Sequence, residues 1–135
     1  MRKSIVLVGL VLLSLAAAGC GGESEGSKGP APVALEGQTN NHGTKDAKDK
    51  MEIEADDFYF GPSFIKASSG QQFSVVLKNE GKASHTFTIP TLGVDVQLAP
   101  GESKTITLAA PKNGSVEFHC RFHQSQGMQG AVFVA

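Results

Sequence analysis

Alternating apolar and polar residues mark the C-terminal two thirds of the chain. Phe73, Val75 and Leu77 are separated by single residues, and the same spacing recurs around Ile53. This period of two is typical of β-strands with one buried face, and turn signals containing Gly, Pro or Asn separate the runs. No stretch has a convincing helical period. The pattern therefore predicts one small all-β domain over residues 51–135, built as a two-sheet sandwich.

The start of the chain has the pattern of an export signal. A basic start precedes a run of apolar and small residues that is too short for a comfortable membrane span. Small residues followed by Cys20 resemble the lipobox of bacterial lipoproteins, although Ala17 stands where Leu is more common. We therefore predict a signal peptide over residues 1–19, a lipidated Cys20 and an extracytoplasmic protein anchored to a bacterial membrane. Ordinary cleavage near Ala18 or Gly19 is the alternative.

Residues 20–50 have the composition of a flexible tether. Gly, Ser, Asn, Thr and charged residues dominate, and only Val33 to Leu35 forms a short apolar break. Such a segment buries too little apolar surface to repay the entropy of ordering it. We expect it to link the lipid anchor to the domain, with His42 as a solvated residue within it.

Three residues near the C-terminus, Cys120, His123 and Met128, offer a thiolate, an imidazole and a thioether close together in sequence. Because side chains alternate along a strand, Cys120 is predicted to face the core and His119 to face solvent. His85 lies on the inward face of an earlier predicted strand. The short loop after Cys120 can fold back and bring His123 and Met128 to the same point.

These side chains form a candidate metal site. Two histidines, one cysteine and a weak axial Met suit copper in electron transfer, and His85 is the candidate for the second histidine. Zinc is the rival metal, but it gains little from a thioether and the motif has no carboxylate to act as a base. Each residue also has a purely structural alternative: a core histidine for His85, an inert thiol for Cys120, a gap filler for Met128. Finding all of them together favours a metal centre.

Composition excludes several other classes of protein. The predicted domain carries eight acidic and six basic residues, a net charge of −2 without a basic stripe, so nucleic-acid binding is not expected. The chain's four histidines are too few for the oxygen-reducing cluster of a multicopper oxidase. Lipidation of Cys20 would leave Cys120 as the only free thiol, and metal ligation would explain why it persists in an oxidising compartment.

The C-terminal region resembles the cupredoxins, specifically the plastocyanin-like small blue copper proteins. The likeness covers nearly all of residues 51–135 and is carried by Phe60-Gly61-Pro62, Gly70, Asn79, Phe118-His119-Cys120, His123, Met128 and Gly130. It implies a Greek-key β-sandwich that binds one type 1 copper. The ligands implied by this likeness are His85, Cys120, His123 and axial Met128. It also implies that electrons enter and leave through the edge of His123.

Three positions depart from the family pattern. Thr86 stands where many members have an Asn that helps to hold the thiolate loop, so the resemblance does not carry that brace over to this chain. His119 replaces a frequent Tyr, and Phe122 stands where Pro is common. We expect these differences to alter the reduction potential and the choice of partner more than the identity of the metal.

The predicted function is the transfer of single electrons between redox protein partners by a monomeric blue copper protein tethered to a membrane. We expect an apolar docking patch around His123 that includes Leu92, Phe122 and Gly127. The alternative is an extracytoplasmic copper carrier or buffer with the same ligands. An enzyme is not expected, because the sequence reveals neither an open coordination position nor a second metal.

Overall fold

Two β-sheets packed face to face make up the part of the chain that the computed structural model describes, residues 29–135. The predicted signal peptide, Cys20 and residues 21–28 lie outside the described residues. Across residues 29–135, no helix is long and apolar enough to cross a membrane.

Ten strands and two short 3-10 helices follow one another along the described chain. The strands are β1 (Thr44–Asp46), β2 (Lys50–Asp56), β3 (Tyr59–Gly61), β4 (Phe64–Ala67), β5 (Gln72–Asn79), β6 (His85–Ile89), β7 (Val94–Leu98), β8 (Ser103–Ala109), β9 (Ser115–His119) and β10 (Gln129–Val134). The 3-10 helices span Pro90–Leu92 and Gln124–Gln126.

The strand order explains how distant parts of the sequence meet. One sheet has six strands in the order β1-β4-β10-β9-β6-β7, and the other has four in the order β3-β2-β5-β8. The chain crosses repeatedly between the sheets, so that β9 lies between β10 and β6. The all-β sandwich predicted from the alternating pattern is confirmed.

The core is centred on three aromatic rings between the sheets. Phe60, Phe87 and Phe118 are fully buried, and their ring centroids lie 4.8 to 5.7 Å apart in edge-on or tilted contacts. Aromatic pairs at these separations add to the stability that burial alone provides. Because Phe87 and Phe118 belong to β6 and β9, these two strands present their inward faces to the same core.

The domain begins upstream of Met51. The composition of residues 20–50 predicts a flexible tether, whereas the structure places residues 29–46 against the sandwich. We call these residues the N-terminal strap. Its strand β1 pairs in parallel with β4, and its apolar break packs against Phe64, Ala131 and Phe133 on the outer face of the six-stranded sheet. That apolar face is the physical reason for the difference, because it gives Val33 and Leu35 a surface to cover.

Polar side chains hold the rest of the strap. The Gln129 side-chain amide donates hydrogen bonds to the carbonyl oxygens of Glu36 and Gln38, at 2.8 and 2.9 Å. His42, expected to be solvated, stacks on the ring of Tyr59 with the ring centroids 3.5 Å apart. These contacts come from isolated residues far apart in sequence, and the pattern of the chain gives no sign of them.

The packing of the strap predicts a measurable contribution to stability. Replacing both Val33 and Leu35 by Ser should lower the free energy of unfolding by about 2 kcal/mol, since each half-buried side chain contributes about 1 kcal/mol. Ala34 lies between them and is exposed, so Ala34→Ser is the matched control and should change it by less than about 0.5 kcal/mol. Urea denaturation measures both. Equal effects would show that the strap does not pack as described.

Candidate metal centre

Adjacent antiparallel strands bring the first two candidate ligands together. His85 is the first residue of β6, and Cys120 follows the last residue of β9. In this pairing Thr88 lies opposite His119, so the first residues of β6 extend past the end of β9, alongside Cys120. The inward orientation predicted for both side chains is confirmed, because both are fully buried.

The loop after Cys120 folds back over these strand ends. Cys120 N–H donates to the Met128 carbonyl oxygen at 3.0 Å, and Met128 N–H donates to the His123 carbonyl oxygen at 3.2 Å. Gly127 closes the 3-10 helix with a φ of 97°, a conformation that glycine adopts at little cost. The return predicted from the loop length is therefore observed, and it brings the Met128 backbone to those of Cys120 and His123.

Three donor atoms lie at distances that fit a metal ion. His85 Nδ1 and His123 Nδ1 are 3.1 Å apart, and Cys120 Sγ is 3.9 Å from the first and 3.6 Å from the second. A triangle with these sides has a circumscribed radius of about 2.1 Å. Typical bonds are about 2.0 to 2.1 Å for a metal and His nitrogen and about 2.3 Å for a metal and Cys sulfur.

The donor set favours copper over zinc. Within residues 29–135, the cluster of possible His, Cys, Asp and Glu ligands comprises His85, Cys120 and His123. The fourth side chain next to them is the thioether of Met128, which is fully buried. A thiolate, two imidazoles and a thioether suit copper. Zinc in proteins is bound by Cys, His, Asp or Glu, and a Met thioether is not among these ligands.

Thr86 supplies the brace that the sequence analysis did not carry over from the family. Its backbone N–H donates to Cys120 Sγ at 3.4 Å, and its hydroxyl accepts the Arg121 N–H at 2.8 Å. The Thr86 and Thr88 hydroxyls lie 3.0 Å apart, and the Thr88 hydroxyl donates to Asp95 at 2.8 Å. A hydroxyl therefore holds the thiolate loop where many family members use an amide.

The buried side-chain amide of Asn79 holds the loop that precedes His85. The side-chain nitrogen of Asn79 donates to the carbonyl oxygens of Ala83 and Leu98, at 2.8 and 3.0 Å, and its oxygen accepts the Gly81 N–H at 2.9 Å. All three polar groups of this fully buried side chain are thus satisfied. Asn79, singled out by resemblance alone, fixes the loop that delivers His85.

The far side of the His85 ring faces a carboxylate that the sequence analysis missed. His85 Nε2 lies 3.2 Å from Asp57 Oδ1, which also accepts backbone N–H bonds from Ala83 and Lys82. These backbone bonds, and then His85, lower the pKa of Asp57, while burial lowers the pKa of His85. No periodicity links positions 57 and 85, so the sequence holds no signal for this contact.

Two exposed aromatic rings flank His123. Phe58 meets it edge-on with the ring centroids 5.1 Å apart, and Phe122 lies 6.2 Å away. Phe58 and Phe122 are 41% and 47% exposed, and His123 is partly buried between strand and loop. Phe122 was expected at this surface, whereas Phe58 was not. Leu92 is also exposed, at the end of the first 3-10 helix.

Gly127 does not belong to this surface, contrary to expectation. It is buried, and a Cβ at this position would lie 2.8 Å from the side chain of Asn40. Asn40 Nδ2 donates to the carbonyl oxygens of Phe58 and Gln126, both at 2.8 Å. The strap residue that covers Gly127 therefore also ties the Phe58 turn to the ligand loop.

The remaining histidines lie outside the cluster in the described part of the chain. His119 pairs with Thr88 across β9 and β6 and is partly buried. Burial lowers its pKa, and the nearby Arg121 lowers it further. His42 stacks on Tyr59 in the strap. Neither is among the grouped donors, as the sequence analysis expected for both.

Comparisons with known proteins agree with this architecture. A family model for the cupredoxin-like domain matches residues 30–134. The fold is similar to that of dithionite-reduced auracyanin from the photosynthetic bacterium Roseiflexus castenholzii, with 24% identity, a TM-score of 0.56, and coverage of 66% of this chain and 98% of that one. A search of curated proteins finds no match.

A second solved structure has the same fold and a different printed role. It is the metal-binding domain, with Cu(I), of the Cu(I)-exporting P-type ATPase of Streptococcus pneumoniae D39. Its identity is 17% and its TM-score 0.57, over 70% of this chain and 97% of that one. At these identities the two likenesses show a shared fold. The copper assignment comes from the donor set and the family match: His85, Cys120, His123 and Met128 have the arrangement typical of a type 1 copper site.

Proposed function

Since this chain belongs to the cupredoxin family, we propose that it carries single electrons between redox protein partners through one type 1 copper. The observation that carries the proposal is the triangle of His85 Nδ1, His123 Nδ1 and Cys120 Sγ, with buried Met128 beside it. Copper bound there supplies a single centre that alternates between Cu(II) and Cu(I).

The protein's own contribution is to hold the donors still and dry. His85, Cys120 and Met128 are fully buried, so water has little access to them. The Thr86 N–H donates to the Cys120 sulfur and helps to fix its position. Donors that are fixed by strands and hydrogen bonds move little when the charge of the centre changes, which suits rapid electron transfer.

Electrons are proposed to enter and leave at His123. It is the ligand on the loop and the one that is incompletely buried. Phe58 and Phe122 surround it with exposed aromatic surface, and aromatic residues are enriched where proteins dock. We assign these two rings to the docking patch, with Leu92 as a candidate at its margin.

A copper carrier is the second candidate function. The shared fold with the metal-binding domain of a Cu(I)-exporting ATPase supports it. A carrier must release its metal readily, whereas three of the four ligand side chains here are fully buried. That burial favours electron transfer, and it gives no open position for a substrate, so we propose no enzymatic activity.

The proposed location is outside the cytoplasm, on a lipid anchor. The support is the signal-like start of the chain and Cys20 at its end. The strap packs on the domain from its start at Gly29, and eight residues, 21–28, separate it from Cys20 in the sequence. Even fully extended, such a link reaches only about 30 Å, so the copper centre would stay close to the membrane.

The copper proposal predicts a colour. The purified protein should bind one copper and become intensely blue or green when oxidised, because a thiolate bonded to Cu(II) absorbs strongly. Cys120→Ser should abolish that absorption, and His119→Ala should leave it unchanged as the matched control. Visible and electron-spin spectra measure both. Colourless wild-type protein with bound Cu(II), or a preference for zinc in competition, would contradict a type 1 site.

The docking patch predicts where charge should slow electron exchange. Phe122→Glu should preserve the copper spectrum and slow exchange about tenfold or more, because it places a charge in a contact that must lose water. Phe58→Asp should act similarly, since Asp tolerates the left-handed backbone at that position. His119→Phe is the control. Stopped-flow rates against one c-type cytochrome decide: an equal or larger effect at His119 would move the exit route away from His123.

The anchor predicts a modified N-terminus. Mass spectrometry of protein purified from bacterial membranes should find a diacylated or triacylated Cys20 as the first residue. Cys20→Ser should release the protein from membranes with its copper spectrum intact. An unmodified mature chain that starts elsewhere would refute the lipid anchor and leave the copper centre unaffected.

A further inference from the structure

The His85 ring lies between the candidate metal centre and a carboxylate. Its Nδ1 faces Cys120 and His123, and its Nε2 lies 3.2 Å from Asp57 Oδ1. His85 is fully buried, and the Asp57 side chain is 32% exposed. A carboxylate oxygen at this distance accepts a hydrogen bond from the ring, so the contact favours the tautomer of His85 with its proton on Nε2. The lone pair is then on Nδ1, the atom that faces the metal centre.

The surrounding loop is shaped to hold this carboxylate. Asp57 accepts the Lys82 N–H at 3.0 Å and the Ala83 N–H at 3.2 Å, both from the segment that leads into His85. Gly81 leaves the necessary room, because a Cβ there would collide with Asp57 Oδ1 and lie 2.8 Å from His85 Nε2. The chain thus admits an anion at the back of a buried ligand and fixes its orientation.

We propose that Asp57 is a positioning residue of the copper centre, which fixes His85 in the tautomer that ligates through Nδ1 and lowers the reduction potential. The inference rests on the proposed one-electron copper function. Carboxylates that accept a hydrogen bond from a metal-ligating imidazole orient the ring and make it a stronger donor. A stronger donor stabilises Cu(II) more than Cu(I), so the carboxylate disfavours reduction.

The adjacent residue contacts the other imidazole. Phe58 meets His123 edge-on, whereas Asp57 hydrogen-bonds His85. The Asp57-Phe58 turn therefore places an anion behind one ligand and an apolar ring beside the other. This difference assigns electronic tuning to the His85 side of the centre.

Asp57→Asn is the primary test, because the amide keeps the shape of the side chain and removes its charge. Loss of an outer carboxylate typically changes metal affinity about 10- to 100-fold. If a tenfold loss of affinity affects Cu(II) and not Cu(I), the reduction potential rises by about 59 mV, because one electron is transferred. Protein-film voltammetry measures the potential. Pulsed electron-spin measurements should also show a changed coupling to the remote ring nitrogen of His85.

Asp56→Asn is the matched control for charge. Asp56 carries the same charge one residue away, but its carboxylate contacts the Tyr59 hydroxyl and the Asp57 N–H. We expect its potential shift to be less than a third of that in Asp57→Asn. Equal shifts would show that only the overall charge matters and would overturn the positioning role.

Gly81→Ala tests the contact without altering the charge. Its Cβ would press on both Asp57 Oδ1 and His85 Nε2 and should separate them, so the potential should rise although the carboxylate is still present. This variant also decides the matter if Asp57→Asn fails to fold. Lower thermal stability in both variants, with unchanged potential and nitrogen coupling, would show that Asp57 only stabilises the loop and would refute the proposal.

A copper-free measurement separates this inference from the proposed function. Nitrogen-15 NMR of the wild-type apoprotein should show His85 with its proton on Nε2. A proton on Nδ1 would refute the role of Asp57 whatever metal the protein binds. If the tautomer is as expected and no blue copper spectrum forms, the electron-transfer proposal fails while the Asp57–His85 contact stands.

Discussion

The pairing of β6 with β9 is the constraint on which the rest of the centre depends. It joins residues more than 30 positions apart and aligns the start of one strand with the end of the other, where His85 and Cys120 lie. The same alignment stacks Phe87 against Phe118 in the core. Stability and ligand geometry thus share one interface, and a shift of either strand by one residue would turn its own ligand away from the core.

The ligand loop depends on support from outside its own sequence. Turn hydrogen bonds and one short 3-10 helix shape residues 121–128 internally, and contacts from elsewhere in the chain fix this loop on the domain. Thr86 holds the Arg121 end through a hydroxyl, and Asn40 of the N-terminal strap holds the Gln126 end through an amide. Two segments distant in sequence therefore set the position of His123, which suits a ligand that must stay still near the surface.

Periodic features of the sequence predict the strands and their buried faces well. Isolated polar contacts between distant residues leave no pattern in the sequence. Alternation gave the inward faces of His85 and Cys120, and the Cys-x2-His-x4-Met spacing identified the other two ligands. The low apolar content of the strap predicts a flexible segment, although the strap packs on the sandwich. Two apolar residues and the amides of Gln129 and Asn40 hold it instead. The contact of Asp57 with His85 could not be predicted either, because a single contact has no period in the sequence.

The turn at Phe58 shows how strain and function are linked here. Its φ of 74° is uncommon for a bulky residue and costs about 1 to 3 kcal/mol. The hydrogen bond from Asn40 to the Phe58 carbonyl oxygen helps to hold that conformation. In an extended strand, successive side chains point to opposite faces. The left-handed turn instead allows Asp57 and Phe58 to reach two imidazoles whose ring centroids are 5.0 Å apart. The strained residue is therefore the means by which one dipeptide gives the two histidine ligands different surroundings.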